Sequence, residues 1–156
     1  MTKLTSEGNV KVHYLPAVAN KAAPTVAEIA AGTNVTPFLP TAGVGVDWTQ
    51  NNSSTPMLDE FFTSEAVGTE AASIALTFLR HELATDDDAW NLFVRGTNAF
   101  LLIARKGAPV ATDKVEVYPI QCHRPVPLAP AANEDQQARV SLAVTATPEL
   151  NATVTA

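Results

Sequence analysis

The sequence holds a single cysteine, Cys122, so no intrachain disulfide can form. Cations are scarce as well: ten Lys and Arg stand against sixteen Asp and Glu, giving a net charge of −6 with no basic stripe. That removes the electrostatic footprint of a specific nucleic-acid binder, because affinity for phosphate comes from clustered cations. No apolar run approaches the ~18 residues needed to cross a membrane as a helix. The opening Met1-Thr2-Lys3-Leu4 carries no apolar signal core, so a cytosolic chain with no membrane partner is expected. Aromatics make up only 6% of the chain while apolar residues reach 46%, because much of the apolar count is Ala. Ala buries little area, so a thin core, completed against neighbours, is expected.

The motifs of catalysis are missing too. No G-x-S-x-G and no phosphate-binding G-x-x-x-x-G-K-[ST] occurs. His81-Glu82 lacks the second histidine of H-E-x-x-H. Gly43-Val44-Gly45-Val46 lacks the third glycine of a dinucleotide fingerprint and leads into a strand, not a helix. Cys122-His123 falls on an expected strand, where neighbouring side chains point to opposite faces and cannot share one ion. Asp86-Asp87-Asp88 lacks the spacing of a calcium loop and reads as the acidic first turn of a helix. No catalytic, cofactor or metal residue is assigned, and an enzyme is not expected.

What is present is strand patterning within one domain-sized chain of 156 residues. Residues 10–15 alternate as a short strand. Thr25, Glu28 and Gly32 have the spacing of a one-turn helix with a capping box and a glycine stop. A strand is expected at 44–50, a polar turn at 51–56, a second strand at 57–66 and a tight return at Gly68. The strand at 71–81 puts Ile74, Leu76 and Phe78 on one face and Ser73, Ala75 and Thr77 on the other. The main helix is expected at 85–95, its apolar stripe made by Trp90, Phe93 and Val94 and its end marked by Gly96. Residues 99–104 are apolar on both faces, as in a central strand, so Phe100 and Leu102 join the core. Pro119 is expected to push the strand at 114–122 towards an edge or bulge. The last strand, 138–146, turns Val140, Leu142 and Val144 inward. The pattern predicts a mainly β (α+β) sandwich or partial barrel with one flanking helix. Its β domain spans 44–147, with an N-terminal arm at 1–43 and a C-terminal arm at 148–156, both without a core of their own.

The string Asp87-Asp88-Ala89-Trp90-Asn91-Leu92-Phe93-Val94-Arg95-Gly96-Thr97, followed by Phe100-Leu101-Leu102-Ile103-Ala104-Arg105-Lys106-Gly107, resembles the helix-to-strand element of siphophage major tail proteins from actinobacterial phages. Val115-Glu116-Val117-Tyr118-Pro119-Ile120-Gln121-Cys122 resembles their next strand, and Asp47-Trp48-Thr49, the segment 59–62 and Leu76-Thr77-Phe78 resemble their hairpin strands. The resemblance implies a tail-tube fold stacked as homo-hexameric rings into a virion tail. Tape-measure, tail-terminator and tip proteins are its implied partners, DNA passes through transiently and non-specifically, and the tail is assembled in the host cytoplasm. Four strands per copy then close a barrel of roughly 24 strands and about 48 Å diameter, wide enough for a duplex. A capsid decoration protein shares the size, acidity and β content and is the alternative.

On that reading the polar strand faces line the bore: Asp47, Thr49 and Asn51; Asp59, Thr63 and Glu65; Ser73, Ala75 and Thr77; and Ser141 with Thr145. On the middle strand Phe61 and Phe62 compete for burial, so Glu60 and Ser64 can replace Asp59 and Glu65 there. Carboxylates repel phosphate within a Debye length, about 8 Å in physiological salt, so a negative lining is expected. The turn Asn51, Asn52, Ser53, Ser54, Thr55 and Pro56 is expected to contact the next ring.

Overall fold

The computed structural model describes residues 5–54, 57–58, 61–83 and 85–156. Nine strands among them form one antiparallel sheet that does not close into a barrel. In chain order they are β1 (Lys11–Leu15), β2 (Thr33–Asn34), β3 (Val44–Ser54), β4 (Glu65–Leu79), β5 (Asn98–Ala104), β6 (Lys114–Cys122), β7 (Val126–Pro127), β8 (Gln137–Val144) and β9 (Glu149–Thr153). Two short helices, α1 (Val26–Ala31) and α2 (Asp88–Leu92), join them. The sheet runs β2-β1-β5-β6-β8-β4-β3, with β9 added to β6 and β7 to β8.

The sheet turns its corner at β6. The first half of β6 pairs with β9 (Val115 with Ala152), and its end pairs with β8 (Cys122 with Leu142). Pro119 sits at this change of partner and not at an edge, since β6 also pairs with β5 along 115–121. The Pro119 carbonyl accepts the Thr145 amide on the β8 side. In a regular strand a residue's N–H and C=O point to the same neighbour, so the N–H that proline lacks would have faced the fork, where no ladder bond is lost.

Bent this way, the two halves of the sheet bury their facing sides on each other. Val12, Tyr14, Leu101, Ile103, Tyr118 and Ile120 from one half meet Ile74, Leu76, Phe78, Val140 and Leu142 from the other. Phe93 closes the gap, with Tyr14 edge-on at 5.7 Å and Phe78 at 5.9 Å between ring centroids. A second cluster lies on the far side of β1, β5 and β6: Leu15, Ile29, Leu102, Val115, Val117, Ala152 and Val154, with Phe100 half-buried beside it. Phe100 and Leu102 therefore belong to a different core from Ile74 and Phe78. β5 is buried on both faces, which accounts for its unbroken apolar run.

The second cluster also corrects the expectation that both terminal segments lack a core. β1 pairs with β5 along its whole length, and Val12 and Leu15 are buried. β9 contributes Ala152, and the Thr155 carbonyl takes the Val26 amide at 2.9 Å. Sequence composition missed this because a short segment that adds one strand to an existing sheet needs few large side chains. The capping box of α1 forms as its spacing predicts: the Thr25 hydroxyl accepts the Glu28 amide at 3.1 Å, and Glu28 Oε2 accepts the Thr25 amide at 2.8 Å. Glu28 also accepts the Ala19 amide, and these backbone bonds hold its carboxyl below the usual glutamate range.

The expected helix at 85–95 shrinks to Asp88–Leu92. Asp87 makes no side-chain cap. Its buried carboxylate instead takes the Arg80 guanidinium at 2.7 Å. Ala89 and Phe93 are buried, Trp90 packs half-buried against the first cluster with the Arg80 guanidinium 3.8 Å above its ring, and Val94, 59% exposed, falls outside the expected stripe. One turn of helix cannot carry an i, i+4 stripe to its end, and the chain leaves the helical path at Phe93 (φ −87°, ψ 85°). The strand expected at 57–66 is absent among the described residues: 57–58 and 61–64 are irregular, and only Glu65 and Ala66 belong to β4.

Candidate assembly surface

β3 and β4 form a long hairpin whose root belongs to the body and whose far half stands clear of it. Rungs run from Val44–Leu76 at the root to Ser54–Glu65 at the far end. At the root Ile74, Leu76 and Phe78 are buried; from Trp48 to Ser54 every β3 residue is exposed. Between rungs Gln50–Glu70 and Asn52–Val67 one extra residue enters β4, a β-bulge. Gly68 sits in it: a Cβ there would stand 2.5 Å from the Asn51 carbonyl oxygen, so only glycine lets the strands approach. Gly68 is thus part of the pairing and not a return turn.

Register settles which side chains share a face, because directly paired residues point the same way. Asp47 pairs with Ser73, Ser73 with Ala143, and Ala143 with Gln121, one row across four strands. The next row is Gly45, Ala75 and Ser141; Thr77 pairs with Arg139, and Thr49 with Ala71. The structure therefore brings Asp47, Thr49, Ser73, Ala75, Thr77 and Ser141 together on one open polar face, backed by the core row Val46, Ile74, Leu142 and Cys122. Asn51 shares this face through its amide, which donates to the Thr69 hydroxyl at 3.1 Å.

The other candidates for this face lie elsewhere. Glu65 pairs with Ser54 and accepts the Asn52 amide at 2.8 Å, so it shares the Trp48 side of the hairpin. The bulge causes this, since one added residue inverts the alternation beyond it. Thr63 is in the irregular connection, Thr145 follows the end of β8 beside Trp48, and Asp59 and Glu60 lie outside the described residues. The expected acidic lining thus reduces, among the described residues, to Asp47, and Arg139 joins the same face four residues further along its strand. Alternation along the last strand puts Arg139 and Ala143 on the same outward side as Ser141, whereas Gln121 was missed because polar-face membership beyond the hairpin depends on which strand sits next to which. Of the expected ring-contact turn, Asn52, Ser53 and Ser54 are still paired strand, Asn51 stands in β3 opposite the bulge, and Thr55 and Pro56 lie outside the described residues.

Two further features are exposed. β3 has no partner on its outer side among the described residues. This edge is eleven residues long, contains neither Pro nor Lys, and carries Asp47 as its one charge. Past the end of the hairpin, Phe61 is 110% exposed and Phe62 82%, and Met57 and Leu58 are exposed as well.

No group of three or more His, Cys, Asp or Glu among the described residues could hold a metal ion. Cys122 is buried, and burial raises its thiol pKa. His123, just past the end of β6, is exposed. Glu116 accepts the Arg105 guanidinium and, at 2.9 Å, the Tyr118 hydroxyl; burial first, and then the Glu116 carboxylate, raise the Tyr118 pKa, against a smaller opposing effect of Arg105.

A family model described as phage tail tube protein matches residues 1–156. That is a structural family and not an enzyme family. No curated protein matches the chain. Among solved structures, a chain in the virion of a native gene transfer agent particle is 10% identical with a TM-score of 0.59, covering 95% of this chain and 99% of that one. A chain in the tail of an empty gene transfer agent particle, refined with C6 symmetry, is also 10% identical, with a TM-score of 0.60 and the same coverage. At that identity the likeness is one of fold.

Proposed function

We propose, because this chain belongs to the phage tail tube protein family, that its copies close into hexameric rings and stack as the conduit through which DNA leaves the particle. The observation that carries the reading is the edge of β3, unpaired on its outer side among the described residues. A long edge strand without Pro, Lys or cover is normally selected against because it recruits other strands. Here eleven such residues border the four-strand polar face. Pairing this edge with the neighbouring copy continues the sheet, and six copies supply the roughly 24 strands of a closed barrel. The sixfold symmetry of the gene transfer agent tail supports that number.

The polar face of Asp47, Thr49, Ser73, Ala75, Thr77 and Ser141 then looks into the bore. Small and hydroxylic side chains hold phosphate weakly, so a duplex slides past without pausing, and Asp47, repeated in each copy, adds mild repulsion. The far half of the hairpin reaches the next ring. Tape-measure, terminator and tip proteins, and assembly in the host cytoplasm, follow from a place in the tail. Kinship with the tail proteins of actinobacterial siphophages is the finer part of this reading, and it rests on the resemblance of the 87–107 and 115–122 strings.

Negative-stain electron microscopy of the purified protein tests this. Hollow tubes or six-membered rings are expected. Trimers that bind only capsids would give a decoration protein instead, and a persistent monomer would overturn the assembly reading.

A further inference from the structure

Beside the hairpin stalk runs an open groove of about 580 Å³, between the Trp48–Ala72 rung and the turn from β8 to β9. Its apolar wall is Trp48, Ala72, Val144, Pro148 and Leu150. Trp48 is 38% exposed and Leu150 51%, so both show apolar surface to solvent. Gln50 and Glu70, hydrogen-bonded to each other at 3.2 Å, close the end facing the hairpin tip with a polar rim. The chain thus carries an apolar socket on the stalk and, beyond the tip, apolar knobs in Phe61 and Phe62.

The two do not meet within one molecule. From the Ser54–Glu65 rung back to Trp48 is six residues of strand, about 20 Å. Phe62 is three residues from Glu65, a tether of at most about 11 Å, and Phe61 adds only about 3 Å. Both rings are exposed in the chain's own fold. A knob and a socket at separated places on one surface make a heterologous contact, which repeats from copy to copy along a line. The displacement it imposes is along the hairpin, the direction in which the tip projects.

Resting on the tail-tube reading, we infer that Phe61 and Phe62 of one copy seat in the Trp48–Leu150 groove of a copy in the next ring, and that this apolar contact fixes ring to ring. The polar residues Asn51 and Asn52, taken from sequence as the ring contact, instead satisfy their own hairpin through Thr69 and Glu65. They hold the stalk straight so that the knobs are presented.

The test uses the full chain carrying Phe61→Ser and Phe62→Ser. Both rings are exposed in the single copy, so the variant should fold with unchanged unfolding. Rings should persist, while the concentration needed for tube growth rises about a hundredfold or more. In a Trp90→Phe background, where Trp48 is the one indole left, its emission should move to the blue on tube growth in the parent and stay put in the double variant. A Phe61→Cys chain mixed with a Leu150→Cys chain under mild oxidant should give a covalent dimer that neither gives alone. Normal tubes from the double variant, or no dimer in the mixture, overturns the docking while leaving the tube standing. A parent chain that forms neither rings nor tubes overturns both.

Discussion

β5 and the far half of β3 are both antiparallel strands, but β5 is paired on both sides, with β1 and β6, and β3 on one side only among the described residues, with β4. β5 is enclosed on both faces by the two apolar clusters, and from Leu101 to Ala104 every residue is buried. From Trp48 to Ser54 no residue of β3 is buried. The second ladder of β5 adds bonds whose net contribution is only about 1 kcal/mol each, so pairing alone does not explain why one strand is body and the other is stalk. Burial does: apolar area removed from water stabilises the body, whereas the stalk is held by register, a bulge and cross-strand pairs such as Gln50–Glu70. A surface kept out of the core is free to bury itself against other copies.

The sharpest way to break the comparison is to truncate one ring in each region. Phe78→Ala removes a fully buried ring and should cost about 3–5 kcal/mol in urea unfolding of the unassembled chain. Trp48→Ala, on the stalk, should stay within about 1 kcal/mol. Equal losses would mean that the stalk is part of the cooperative core. Next in size is Gly68→Val. The new side chain meets the Asn51 carbonyl, so the rungs around the bulge should open at a cost of about 1–3 kcal/mol. The loss should be local, seen as faster amide exchange at 65–70 with little change in exchange across β5. Uniform acceleration in both strands would erase the distinction between them.

The smallest effect concerns pH and falls on the body alone. Burial, and secondarily Lys11, lower the pKa of His13 on β1. The unfolded chain then binds the proton more readily than the folded one. Stability contributed at neutral pH is lost as the pH falls below about 6.5 and through the lowered folded value. His13→Gln should flatten that part of the unfolding curve, and exchange in the stalk should not follow it. A slope unchanged by the substitution would place the titration elsewhere.

Alternation determined much of this protein from sequence alone. The facing of Ile74, Leu76 and Phe78 against Ser73, Ala75 and Thr77 was legible, as were Val140 and Leu142, because a period of two has one reading when one side is polar. The Thr25–Glu28 capping box was legible because its partners are three residues apart. What the tertiary structure alone decided involves partners distant in sequence. The bulge at Gly68 carries Glu65 to the opposite side from Ser73, and nothing in the local pattern 65–70 records that inversion. The pairing of β6 with both β8 and β9 brings Gln121 into the polar face, admits Pro119 to a central strand, and gives 149–154 a core that its small residues do not announce. Phe61 and Phe62 look like strand residues seeking burial, and only the fold shows that this chain offers them none. Local chemistry sets which way a side chain points along its own strand; which strand lies beside it is set by the closure of the whole sheet.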